Sequence, residues 1–166
     1  MFANLLADLH RQTNDYNVQV ISDDGPGSIG VKRQRLLQAA AGDYVCFIDD
    51  DDEVSPVYVS SIVSLLGSVD AIGFEGEITT NGRHAKRFSI SMNHNYEEKG
   101  GIYYRYNNHL SPVRREIALK IGYKDMSYGE DHDYATRLHQ SGLIKTEHYI
   151  YTPMYFYKYI TKKSYK

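Results

Sequence analysis

The sequence has no tryptophan and a single cysteine, Cys46, in 166 residues. One thiol cannot close an intrachain disulfide, so the chain is not a disulfide-stapled scaffold, and a reducing compartment suits it. Cys46 lies in the apolar run Tyr44–Ile48 and is read as core. No apolar stretch approaches the ~20 residues that a bilayer span needs, which excludes an integral membrane protein. Met1 is not followed by a basic segment and an apolar core, so nothing reads as a secretion signal, and a cytoplasmic address is predicted. No repeat, linker or low-complexity stretch divides the chain. The formal net charge of -2 offers no concentrated basic face for nucleic acid. The basic end, Lys158, Lys162, Lys163 and Lys166, is the exception. It reads as a solvated terminus, with an acidic partner, a membrane surface or phosphate as the sharper alternative.

The 42% hydrophobic and 24% charged residues are proportions of a soluble globular protein, and the length suits one domain over residues 1–166. Tyrosine is unusually frequent, at 16 residues, with clusters at Tyr103–Tyr106 and Tyr149–Tyr159. A ring with a polar tip suits either a half-buried strand or a sugar-stacking surface; the strand reading is preferred.

Phe2, Leu5, Leu6 and Leu9 recur at helical spacing, so an amphipathic helix is predicted to end before Thr13-Asn14-Asp15. Val18–Ser22 reads as a strand running into the turn formers Asp23-Asp24-Gly25-Pro26-Gly27. A helix is expected over about 29–41, stopped by Gly42. Tyr44–Ile48, five apolar residues in a row, reads as a strand buried on both faces. It meets four aspartates, after which Ser55 as N-cap and Pro56 as first residue open a helix through Leu66. This alternation predicts an α/β fold. Beyond Asp70, Ala71–Thr79 and Lys86–Met92 read as strands joined at Asn81-Gly82, the start of an antiparallel half. Ile102–Tyr106 reads as a strand, then helices are expected from Pro112 to Gly122 and over Glu130–Gln140. Ile144–Ile160 reads as one or two strands broken at Thr152-Pro153.

Ligands of open α/β sheets bind beyond the carboxyl ends of strands, where Asp23-Asp24 and Asp49–Asp52 are both predicted. Adjacent carboxylates ~6 Å apart repel by roughly 3 kcal/mol at an effective dielectric near 20, which a cation offsets. Oxygen ligands alone suit Mg2+, Mn2+ or Ca2+, and a Mg2+ or Mn2+ with few protein ligands shares its ion with substrate phosphates. The competing readings are a solvated acidic loop and a structural calcium site; the spacing excludes an EF-hand. His109 and His148 are weighed as metal or acceptor ligands against a structural role.

The segments Val18-Gln19-Val20-Ile21-Ser22-Asp23-Asp24-Gly25, Gly30-Val31-Lys32-Arg33-Gln34 and Ala41-Gly42-Asp43-Tyr44-Val45-Cys46-Phe47-Ile48-Asp49-Asp50-Asp51-Asp52 resemble, in order and spacing, family-two glycosyltransferases. The resemblance implies a GT-A-like three-layer fold with a mixed, mainly parallel sheet flanked by helices. It implies nucleotide contacts at Asp23, Asp24, Lys32, Arg33, Asp49 and Asp50. It also implies Mn2+ or Mg2+ on Asp51 and Asp49, with His148 as a further candidate ligand. Tyr128-Gly129-Glu130-Asp131-His132-Asp133-Tyr134 resembles the family's Glu-Asp motif, which makes Asp131 the catalytic base of inverting transfer, with Glu130 beside it. Glu130 and Asp131 also complement the dipole of the helix they begin, the bland alternative. The closing segment Thr152–Tyr159 resembles the family's last strand.

The implied activity is transfer of a sugar from a nucleotide diphosphate donor, a UDP-sugar by family habit, to a hydroxyl acceptor on carbohydrate, lipid or protein, with donor hydrolysis as a competing outcome. The family's opening strand precedes its first helix and is not seen here; the sheet edge this would leave predicts self-association into a homo-oligomer. The family's later histidine finds Ile160-Thr161 near its place. Two other readings are a catalytically weak nucleotide-sugar binding module and an aspartate-rich phospho-receiver domain.

Overall fold

The structure is a computed structural model that describes residues 2–160. The helix α1 (Phe2–Thr13) buries Leu5 and Leu9, as its spacing predicts. Its Gln12 accepts the Val59 amide at 3.1 Å and donates to the Ser55 carbonyl at 3.0 Å, tying α1 to the entry of α3. Residues 17–24 then run without regular structure. The expected strand Val18–Ser22 is not formed: its backbone meets no neighbouring strand among the described residues, and Val18 and Ile21 are both 38% exposed.

The helix α2 (Ile29–Ala39) starts on Ser28, whose hydroxyl accepts the Val31 amide. It is followed by β1 (Tyr44–Val45), β2 (Glu53–Val54) and α3 (Tyr58–Val63). The five-residue strand expected over Tyr44–Ile48 is thus only two residues long and half-buried, because Val113 and Arg114 pair with Tyr44 and Val45 alone. Ser55 and Pro56 precede the helix by a turn rather than capping it, since Ser55 donates its amide to the Met154 carbonyl at 2.9 Å and stays with β2 and its partner.

The second half follows the sequence pattern more closely. The strands β3 (Ala71–Thr80) and β4 (Arg83–Ile90) form a hairpin about Asn81-Gly82. Both turn residues have positive φ, 51° and 70°, the conformation a two-residue hairpin turn requires. Then come β5 (Glu97–Lys99), β6 (Ile102–Arg105), β7 (Val113–Arg114), α4 (Arg115–Ile121), α5 (Glu130–Ser141) and β8 (Glu147–Tyr159). The break expected at Thr152-Pro153 is a register shift inside β8, which otherwise stays parallel to β3.

The sheet is mixed, with helices on both faces. Ile72 and Phe74 pack with Leu5, Leu9, Val59 and Ile62 from α1 and α3. Ala71 and Val113 pack with Leu37, Ile117, Tyr134 and Leu138 from α2, α4 and α5. The period-two alternation of β3 sends neighbouring residues to opposite layers. Among the described residues two pairings are parallel, β3–β8 and β4–β6, and five are antiparallel, so the expected mainly parallel balance is corrected. The physical reason is that residues 18–22 make no ladder and β1 pairs antiparallel, while the second half contributes antiparallel hairpins. No helix of the described residues is long and apolar enough to cross a membrane. Of the basic end, Lys162, Lys163 and Lys166 lie outside the described residues, as does Thr161; Lys158 lies in β8.

Candidate active site

The four aspartates between β1 and β2 are sorted by the fold into different environments. Asp52 is 3% exposed. Its carboxylate accepts the Tyr155 hydroxyl at 2.7 Å and the Lys158 amide at 2.9 Å. Burial pushes its carboxyl up to about 6, with Asp49 and Asp51 adding to the rise, against these two donors. Asp49 is half-buried, and its amide donates to the Tyr155 hydroxyl at 3.0 Å. Burial alone would raise its carboxyl, but His109 and Arg33 outweigh that and hold it well below the usual carboxylate range. Asp50 and Asp51 are exposed and make no hydrogen bond or ion pair among the described residues.

Arg33 lies on the buried face of α2, one turn before Leu37, and is 6% exposed. One terminal nitrogen donates to Asp49 Oδ1 at 2.8 Å and the other to Glu130 Oε1 at 2.9 Å. The side chain expected at the nucleotide therefore bridges two acids. His109, in the loop between β6 and β7, places Nε2 at 3.5 Å from Asp49 Oδ2. That is an electrostatic contact rather than a normal hydrogen bond.

Asp131 is the second residue of α5 and is half-buried. The helix is entered through Gly129, whose φ of 76° is left-handed, and no side chain caps it. Burial raises the Tyr157 hydroxyl in β8, and the charges of Asp52, Asp49, Asp51 and Asp131 raise it further. Asp133 points elsewhere, onto Lys124 and Arg137. A cleft of ≈ 330 Å³ opens beside the acidic loop, between Asp51, Asp52 and Lys158 and the Asn4, Asp8 and Arg11 side of α1.

The remaining candidates scatter. Asp23 is held by Arg35, whose Nε donates at 2.7 Å, and by the Gly25 amide; the Arg35 bond is the main reason its carboxyl is lowered. Asp24 is exposed, and Lys32 is half-buried beside the Asp23 charge. His148 is not brought to the site. It pairs with Ile72 at the start of β8, seven residues before Tyr155, roughly 20 Å away at the rise of a strand. Among the described residues no group of three or more His, Cys, Asp or Glu side chains is arranged to hold a metal. Asp51 still offers an uncommitted hard oxygen ligand, which fits an ion shared with phosphate and not an all-protein cage.

Tyr155 and Tyr157 are the site residues that sequence reasoning missed. Their i, i+2 spacing in a strand puts them on one face, which the tyrosine-rich ending shows, but nothing in the sequence links that face to acids about a hundred positions earlier. Arg35, the partner of Asp23 twelve positions away, is a further residue the sequence reading does not single out.

The model of the family described as Glycosyl transferase family 2 matches residues 3–128. No curated protein matches the chain. Among solved structures, S. aureus TarS 1-349 in complex with UDP-GlcNAc is similar at a TM-score of 0.61 and 16% identity, covering 92% of this chain and 45% of that one. The same protein in complex with UDP gives 0.61 and 16%, with 92% and 47% covered. A further TarS structure gives 0.60 and 15%, with 92% and 28% covered. The chain thus spans less than half the length of these structures, and at such identity the likeness establishes a shared fold.

Proposed function

The chain belongs to glycosyl transferase family 2, and on that premise we propose that it moves a sugar from a nucleotide diphosphate donor, a UDP-sugar, to an acceptor hydroxyl with inversion. The observation that carries this reading is the link through Arg33 from Asp49 in the acidic loop to Glu130 at the start of α5, where Asp131 follows it in the chain. The UDP and UDP-GlcNAc complexes of the TarS structures support the choice of donor.

Asp49, gripped by Arg33 and His109, is a fixed acceptor for a ribose hydroxyl. Asp51, with Asp49 two positions before it, would hold Mn2+ or Mg2+ together with phosphate oxygens, and the ion would there stabilise the charge that develops on the leaving diphosphate. Asp131 takes the proton of the attacking hydroxyl, which requires hydrogen-bond reach of the acceptor. Asp50, Asp24 and Lys32 are free to contact the nucleotide, and Asp23 orients its loop. The cleft beside α1 leaves room for water, so hydrolysis of the donor competes with transfer.

The test is UDP release from a panel of UDP-sugars with Mn2+, Mg2+ or chelator, for the unmodified chain beside Asp51→Ala and Asp131→Ala. Metal-dependent release that is lost in Asp51→Ala, together with loss in Asp131→Ala while UDP binding persists, supports the assignment. UDP binding without release from any donor identifies a binding module instead. Neither binding nor release sinks the reading.

A further inference from the structure

Arg33 spends one bond from each terminal nitrogen on an acid, Asp49 and Glu130, and its side chain is 6% exposed. We infer that Arg33 and Glu130 are positioning residues that couple the donor-holding loop to the helix bearing the base, a role that rests on the glycosyl-transfer reading above.

Three elements meet at this guanidinium. Arg33 comes from α2, Asp49 from the acidic loop and Glu130 from the first residue of α5. A planar fork with one carboxylate on each arm fixes the distance and angle between its partners, which a point charge cannot do. Glu130 is itself 6% exposed, and its neighbour in the chain is Asp131. With no side-chain cap at Gly129, the Arg33 bond anchors the first residue of α5.

The other oxygen of Asp49 faces His109, 8% exposed, so the carboxylate is held from both sides. The seat of α2 is equally tight. The Gly30 amide donates to the Met126 carbonyl at 3.0 Å, and a Cβ on Gly30 would lie 1.9 Å from the Lys124 carbonyl oxygen. The helix carrying Arg33 is therefore pressed against the segment that leads into α5. A buried cation between one buried and one half-buried acid is often no more stabilising than an apolar trio of like volume. What the charged trio provides is a defined relative placement of Asp49 and Asp131.

The test uses the full chain with Mn2+, UDP as binding probe and UDP-GlcNAc as donor, comparing Glu130→Gln, Asp49→Asn and the double variant. In Glu130→Gln, Arg33 stays on Asp49, so UDP affinity holds within about twofold while kcat falls roughly 10- to 100-fold, the scale of a small misplacement of a reacting group. The double variant loses less kcat than the product of the singles, because both act through Arg33. If Glu130→Gln does not fold, Glu130→Asp, whose shorter side chain draws the carboxylate back from Arg33 while Arg33 stays on Asp49, shows the same split of kcat from affinity. An unchanged kcat in Glu130→Gln, a parallel loss of kcat and UDP-binding capacity, or single losses that multiply overturns the proposal while leaving the reaction in place. An unmodified chain that releases no UDP overturns the glycosyl-transfer reading and this proposal with it.

Discussion

The Tyr155 hydroxyl donates to Asp52 Oδ2 at 2.7 Å across 103 positions of sequence, and the same oxygen accepts the Asp49 amide at 3.0 Å. One buried phenol thus holds both ends of the acidic loop against β8. Tyr155→Phe leaves the Asp49 amide without its acceptor and Asp52 without one of its donors. The expected loss is about 1–3 kcal/mol of stability, read from urea unfolding. Native-like unfolding midpoints would mean that the loop is held by other contacts.

The two exposed aspartates separate in function. Asp51 is among the leading charges that raise the Asp52 carboxyl and the Tyr157 hydroxyl, and Asp50 is not. Asp51→Ala is expected to lower UDP release at least ~100-fold, the scale of removing one stabilising group at a developing charge. Asp50→Ala, which removes at most one exposed contact to the nucleotide, worth about 0.5–1.5 kcal/mol, lowers release no more than about tenfold. Equal losses in the two variants would reject the assignment of the ligand to Asp51.

Gly30→Ala forces a Cβ to 1.9 Å from a backbone oxygen that cannot rotate away. Overpacking of this kind costs about 1–3 kcal/mol. Because α2 carries Arg33, kcat for UDP release falls along with the melting temperature. A variant as stable and active as the unmodified chain would show that α2 shifts freely.

Acid weakens the fold through Asp70. Burial would raise its carboxyl, but the Lys145 and Thr146 amides, the Thr146 hydroxyl and Arg114 outweigh it and lower it below 3.8. A depressed carboxyl stabilises the fold above its unfolded value and loses that contribution as pH falls through the folded one. Asp70→Asn is therefore less stable than the unmodified chain at neutral pH, and the gap closes below about pH 4, the ordinary carboxylate value. A gap independent of pH would assign the effect to shape and not to charge.

The helices and hairpin were legible because their signals are local. The 3.6-residue spacing of Leu5 and Leu9, the Asn81-Gly82 turn and the Gly122 and Gly142 stops each lie within a few residues of what they specify. The strand expected at Val18–Ser22 and the full length of Tyr44–Ile48 were misread because a strand exists only with a partner, and the partner is chosen by tertiary structure. The acidic run and the Glu130-Asp131 pair stood out for the same local reason as the turns.

By itself, the sequence determined which residues carry charge, where the chain turns, and the order of motifs that placed it in its family. Only the tertiary structure decided that Asp52 is buried and Asp51 free, that His148 stands a strand's length from the site, and that Arg33 is spent on Asp49 and Glu130. Hydrogen bonds and ion pairs act over a few ångströms in space, and separations of 97 and 103 positions along the chain leave no periodicity to read.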